Sequence, residues 1–315
     1  MGRLLSFSLR TALTALALLV PIHVIAAPST WVSGVGNDVG TCTITAPCRT
    51  FAYAVPRTDD NGTINVLSAG SFGPVHLKRP LSIMANGVEA RIESTLDCGG
   101  FAAAICIFAS ASSTVTLTGL TVDLPAASTA YGVWVRSGGG VHINRCRISD
   151  ASGGISFQPV SASKLHISDC RMVNVGSGVV TNGDSAAIQR VDIEGLHVED
   201  GGYGLILQSY AAQMTVSVRD STFVANRSAG IFAWAAGGAG RTLNLALDRV
   251  GISGNPSGLV YYGAGTTIRM NDTTITGNTT GISRSGNTGI LQSYGTNRLK
   301  GNGTDGVAPT PIPLQ

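Results

Sequence analysis

The chain has 315 residues, of which 12% are charged, 6% are aromatic and 41 are glycine, and its formal net charge is +3. That composition is too apolar for a disordered chain, and the charge gives no electrostatic ground for binding nucleic acid or an anionic membrane. It suits a sheet-rich core joined by many tight turns.

Residues 1–26 carry Arg3 and Arg10, an apolar run from Leu13 to Val20, and Val24-Ile25-Ala26 ahead of Ala27-Pro28. This reads as a secretory signal cleaved after Ala26, because Pro21 and His23 leave the run too short and too broken to span a bilayer. No later stretch is long and apolar enough for a membrane span, so the expectation is an exported protein with none after cleavage. Losing Arg3 and Arg10 leaves a charge of 3 − 2 = +1.

Export makes the six cysteines disulfide candidates. Cys42 with Cys48, and Cys98 with Cys106 around Gly99-Gly100, are close enough in sequence to form local bridges. Cys146 and Cys170 sit one repeat apart and fit either a third bridge or two buried thiols. No Cys-x-x-Cys or paired His-Cys spacing suggests a metal, and no cofactor is expected.

Residues 27–62 form a non-repetitive cap. Trp31-Val32-Ser33 reads as a strand, Pro47 to Val55 as a short amphipathic helix ended by Pro56, and Asp59-Asp60-Asn61-Gly62 as a turn. The cap would cover the open edge of the first coil. Strands follow at Thr63–Leu67, Val75–Leu77 and Leu81–Met84, with Cys98–Cys106 as an excursion.

From Val115 a repeat becomes countable. Val141-His142-Ile143-Asn144-Arg145-Cys146-Arg147-Ile148 returns as Leu165-His166-Ile167-Ser168-Asp169-Cys170-Arg171-Met172, and 170 − 146 gives a period of 24. One column runs Leu120, Cys146, Cys170, Leu196, Ser221, Val250, Thr273, Asn297. A glycine column runs Gly132, Gly154, Gly178, Gly204, Gly230, Gly258, Gly281, Gly306. Between them lies a polar column, Asp150, Asn174, Asp200, Asn226, Asn255, Asn278 and Asn302, which reads as a structural ladder at a corner. Alternation turns Leu117, Ile143, Ile167, Ile193, Val218, Leu247 and Met270 inward, and likewise Val122, Ile148, Met172, Val198, Phe223, Ile252 and Ile275. Coils of about 25 residues without helical periodicity predict an all-β, single-stranded right-handed parallel β-helix over residues 63–307. The tail, 308–315, holds Pro309, Pro311 and Pro313 and is expected not to continue a sheet.

Trp31-Val32-Ser33-Gly34 with Asn37-Asp38, Pro47-Cys48-Arg49-Thr50-Phe51, and the recurring Gly-Ile/Val-x-Phe and Ser/Thr-Gly-Asn phrases resemble bacterial exported β-helix repeat proteins of the pectin-lyase-like superfamily. That resemblance, over about Trp31 to Val307, implies a polysaccharide held along the outside of a parallel sheet; it does not imply one activity, because the superfamily's functions differ.

Two outward columns follow. One is Thr116, His142, His166, Asp192, Ser217, Ala246 and Arg269; the other is Thr121, Arg147, Arg171, His197, Thr222, Gly251 and Thr274. β-Elimination of a uronate needs a cation to neutralise the carboxylate and a base to remove the C5 proton. Arg147 and Arg171 are candidates for the first role, and His142 and His166 for the second. Asp169, Asp192 and Glu194 balance the cations, and Asp192, Glu194, His197 and Trp134 are candidates for substrate binding. Acidic residues are too dispersed for a calcium site or a glycosidase carboxylate pair. Trp134, Tyr203, Phe232, Trp234, Tyr261 and Tyr262 are rings that either stack on sugars or fill the core. The readings are thus an exported carbohydrate-engaging protein, a metal-independent polyuronate lyase, or a structural or adhesive surface protein.

Overall fold

The computed structural model describes residues 26–125, 128–183, 188–235, 240–286 and 288–313. The segment read as a secretory signal lies outside them, apart from Ala26. Among the described residues, strands stack in parallel into three sheets of 12, 10 and 11 strands, each coil giving one strand to each sheet in turn. This is a right-handed parallel β-helix with one short helix near its start.

The alternation read from the sequence is the one observed. Ile143, Ile167 and Ile193 are buried in the first sheet, and Ile148, Met172 and Val198 in the second, in one continuous core. The strand of the third sheet opens on the glycine column because its backbone passes close to the next coil. A Cβ on Gly178 would stand 2.4 Å from the carbonyl oxygen of Gly204. The column ends one coil early, since Ile282 pairs with Gly306 and Gly281 therefore faces Asp305.

The polar column resolves into two. In the second sheet Arg147, Arg171, His197, Thr222, Gly251, Thr274 and Arg298 face one another in series. Counting three residues on puts Asp150, Asn174 and Asp200 beside Ala225, Gly254, Gly277 and Gly301, all at positive φ. Counting four puts Asn226, Asn255, Asn278 and Asn302 beside Ala151, Val175 and Gly201. These four asparagines form the ladder: Asn255 Oδ1 accepts from the Asn226 amide at 2.9 Å and from Asn226 Nδ2 at 3.0 Å, and Asn278 Oδ1 does the same for Asn255 at 3.0 and 2.9 Å. Spacing in sequence could not separate positions one residue apart, because both tolerate Asn.

Several expectations about the ends are corrected. The strand Ala27–Val32 pairs with Thr58–Val66, so the first rung of the first sheet lies inside the segment read as a cap. Asp59 to Gly62 is a bulge in that second strand rather than a turn before it, and the register jumps from Ala27–Thr58 to Ser29–Thr63. The helix covers only Phe51–Ala54, followed by a 3-10 turn over Val55–Arg57. Residues before Thr50 stay extended because Cys48 is held as a bridge against the first strand, its amide donating to Trp31 O at 2.9 Å. Asp38 fixes this entry by accepting from the amides of Arg49 and Thr50 and from the Thr50 hydroxyl. At the other end Thr310–Pro311 pairs with Ile290–Ser293 as a twelfth strand. Proline is tolerated there because the strand is the edge and needs no amide on its free side.

Both local disulfides are present, Cys42–Cys48 with Cα atoms 4.8 Å apart and Cys98–Cys106 with 5.9 Å. Cys146 and Cys170 are buried thiols.

Candidate functional site

The outer face of the first sheet carries three side-chain columns, since strands 140–144, 163–168 and 188–194 pair in register. The middle one is Thr116, His142, His166, Asp192 and Ser217, as the sequence predicts. Two residues earlier on each strand runs Thr114, Gly140, Lys164, Arg190 and Thr215, and two residues later Thr118, Asn144, Ser168, Glu194 and Arg219.

The first and middle columns line a groove of 740 Å³. Gly140 leaves its floor open, and the walls come from Ala111-Ser112, Ala162-Ser163 and Ile188 at the corner between the third and first sheets. Inside, the His142 and His166 rings lie 5.7 Å apart, tilted by 55°. Burial, and then the charge of His166, lower the pKa of His142. Lys164, Arg190 and Asp192 line the same groove and make no ion pair with one another or with any other described residue. The third column is instead bonded within itself: Arg219 meets Glu194 at 3.0 Å, and Asp248 accepts from Asn271 at 2.7 Å.

The groove brings together three of the predicted site residues, His142, His166 and Asp192, and leaves the others out. Glu194 is engaged with Arg219. Arg147 and Arg171 lie past the corner at Arg145-Cys146, on the second sheet. Arg147 lines a separate hollow of 440 Å³ with Arg91, Asp123 and Glu89. Arg171 is paired with Glu199, which also meets His197 Nε2 at 3.0 Å, while His197 Nδ1 contacts the Thr222 hydroxyl. Hydrogen bonds from His197 and then Arg171 hold Glu199 below the usual carboxylate range. The histidine row and the arginine row stand on different sheets: five residues along the chain is enough to turn the corner between them.

Trp134 is not a surface platform. It faces outward on the third sheet, but the Cys98–Cys106 hairpin folds over it, leaving 3% of it exposed. Phe101 and Phe108 pack edge-on against its ring, at 4.7 and 5.8 Å. Tyr261 is core, whereas Tyr262 packs against both Phe232 and Trp234 on the outer face, stacked on Trp234 at 5.1 Å.

The residues missed from sequence are Lys164 and Arg190. Their signal was present, each lying two positions before a residue already singled out, His166 and Asp192, and so on the same face by strand alternation. Among the described residues no group of three or more His, Cys, Asp or Glu side chains is placed to hold a metal, and no helix is long and apolar enough to cross a membrane.

Residues 90–244 match the right handed beta helix region family. No curated protein matches the chain. Among solved structures, a rhamnogalacturonan lyase superposes with a TM-score of 0.60 at 11% identity, covering 84% of this chain and 81% of that one. Pectate lyase Pel9A superposes with a TM-score of 0.42 at 12% identity, covering 92% and 78%. With its three parallel sheets, asparagine ladder and stacked coils, the chain is a right-handed parallel β-helix, a fold it shares with the rhamnogalacturonan lyase.

Proposed function

We propose that this is an exported protein that holds an acidic polysaccharide strand in the groove of the first sheet. The observation that carries the reading is the placement of two unpaired cations, Lys164 and Arg190, beside the His142/His166 pair in one open groove. Such a row takes successive carboxylates of an extended glycan, with Asp192 available to hydroxyls. A similarly folded protein named as a rhamnogalacturonan lyase supports a carbohydrate ligand, and the N-terminal segment and two disulfides support export.

Affinity electrophoresis or calorimetry with polygalacturonate, against a neutral glucan, tests the binding. Affinity is expected for the acidic polymer, weakening as salt screens the exposed charges. Lys164→Ala/Arg190→Ala is expected to weaken it at least tenfold, about 1.4 kcal/mol, and Arg147→Ala to leave it unchanged. Equal losses from both variants would place the ligand elsewhere, and absence of binding to every polyuronate would favour a structural or adhesive role.

A second reading, metal-independent elimination, is favoured by one feature: His142, with its pKa lowered by burial, stands neutral and able to accept a proton in the groove that Lys164 and Arg190 line. Those cations would stabilise the carboxylate as the C5 proton leaves to the imidazole. Appearance of the ultraviolet absorbance of an unsaturated uronate, abolished in His142→Gln, is the expected result; no product from any bound polyuronate leaves binding alone.

A further inference from the structure

The two local bridges leave Cys146 and Cys170 over, and the strand register sets them side by side. Arg147 pairs with Arg171, so the cysteines just before them hold facing positions on adjacent coils. Both are buried in the core. The Cys146 amide donates to Cys170 Sγ at 3.4 Å, which shows the Cys170 sulfur leaning onto the neighbouring coil. Cys146 Sγ lies 3.4 Å from Asn144 O and 3.9 Å from Leu117 O, and Cys170 Sγ lies 3.3 Å from Ser168 O and 3.4 Å from Ile143 O. Facing positions on paired strands are about 4.8 Å apart, inside the Cα range of a disulfide. That backbone spacing is compatible with a bond once the side chains rotate toward one another.

We propose that Cys146 and Cys170 are a disulfide-forming site, oxidised while the coils assemble, whose bond ties together the two coils that carry His142 and His166. The conditions that join Cys42 to Cys48 and Cys98 to Cys106 act on these two thiols as well. An external disulfide of the glutathione class is the oxidant. One cysteine, as thiolate, attacks a sulfur of that disulfide, breaks its S–S bond and releases one thiolate, which takes up a proton. The second cysteine then attacks the mixed disulfide, its proton passing to the second departing thiolate. Two protein thiols are oxidised and one small disulfide is reduced to two thiols. The exchange takes place before the coils close, because the finished core shuts the oxidant out. Afterwards the same burial protects the bond from reductants.

The test is independent of any ligand. The full chain is refolded from its reduced state in a glutathione redox buffer, alkylated in denaturant without added reductant, and mapped by mass spectrometry. A peptide pair joining Cys146 to Cys170, lost on reduction, and no alkylated cysteine are the expected result. Alkylation of both Cys146 and Cys170 beside intact local bridges overturns the proposal, as does pairing of either with another cysteine. In Cys170→Ala, alkylation of Cys146 is expected while the local bridges persist; a Cys146 still blocked would overturn it. If that variant does not refold, the wild-type map decides.

Discussion

His142 sits where burial and charge act in the same direction. The groove wall removes water from its ring, and the second imidazole, His166, disfavours a further positive charge. Its folded pKa is thus below the ordinary value of about 6.5. As pH falls through that ordinary value the unfolded chain takes up the proton first, so the stability contributed by neutral His142 is present above it and is lost as pH falls through the folded value. A bound polyanion reverses the preference. Its affinity is expected to rise as pH is lowered from about 7 to 5, whereas elimination, which needs a neutral base, is expected to fall over the same interval. Calorimetry and product absorbance measured across this range separate the two readings, and in His142→Gln the affinity profile should flatten.

At the scale of the element, the asparagine ladder holds the corner between the second and third sheets. Asn255 Oδ1 accepts two bonds from Asn226, and Asn255 Nδ2 donates to Ser253 O at 2.9 Å and Phe223 O at 3.2 Å. Asn255→Ala leaves a buried amide and buried carbonyls without partners and is expected to lower stability by about 2–4 kcal/mol. Asn174→Gly, one column away and at a φ of 52°, loses one exposed bond while relieving a left-handed residue. It is expected to change stability by less than about 1 kcal/mol. Denaturant melts of the two variants test whether the columns are distinct. Here the limits of sequence reading are plain. Ile143, Ile167 and Cys146 show coil length and inward face, because stacking forces identical positions to repeat. His142 and His166 show the outward face by alternation. What repetition does not encode is the angle between sheets, and the partition of His142 from Arg147 depends on that angle. Nor does it encode that a hairpin elsewhere in the chain closes over Trp134.

At the scale of the molecule, a stack of open rungs must end without inviting a second stack. The Cys42–Cys48 loop covers the first edge: the Cys42 and Cys48 carbonyls accept from the Trp31 and Ser33 amides, and the Cys48 amide donates to Trp31 O. At the last edge Thr310–Pro311 presents a strand lacking an amide where another would pair. Pro311→Val restores that amide and is expected to increase end-to-end association, read as larger species in concentration-dependent light scattering relative to the parent chain. The corners also differ within the central coils. From the first to the second sheet the turn is two residues in each of the six coils between residues 140 and 276, 145–146, 169–170, 195–196, 220–221, 249–250 and 272–273. From the third to the first it varies from residues 138–139 to residues 158–162 and 263–265. That variable corner builds the groove walls and leaves the core untouched. It works as an insertion port: chain can be added or trimmed there to reshape what the groove admits, while the register of every rung, and the stability that depends on it, stays as it was.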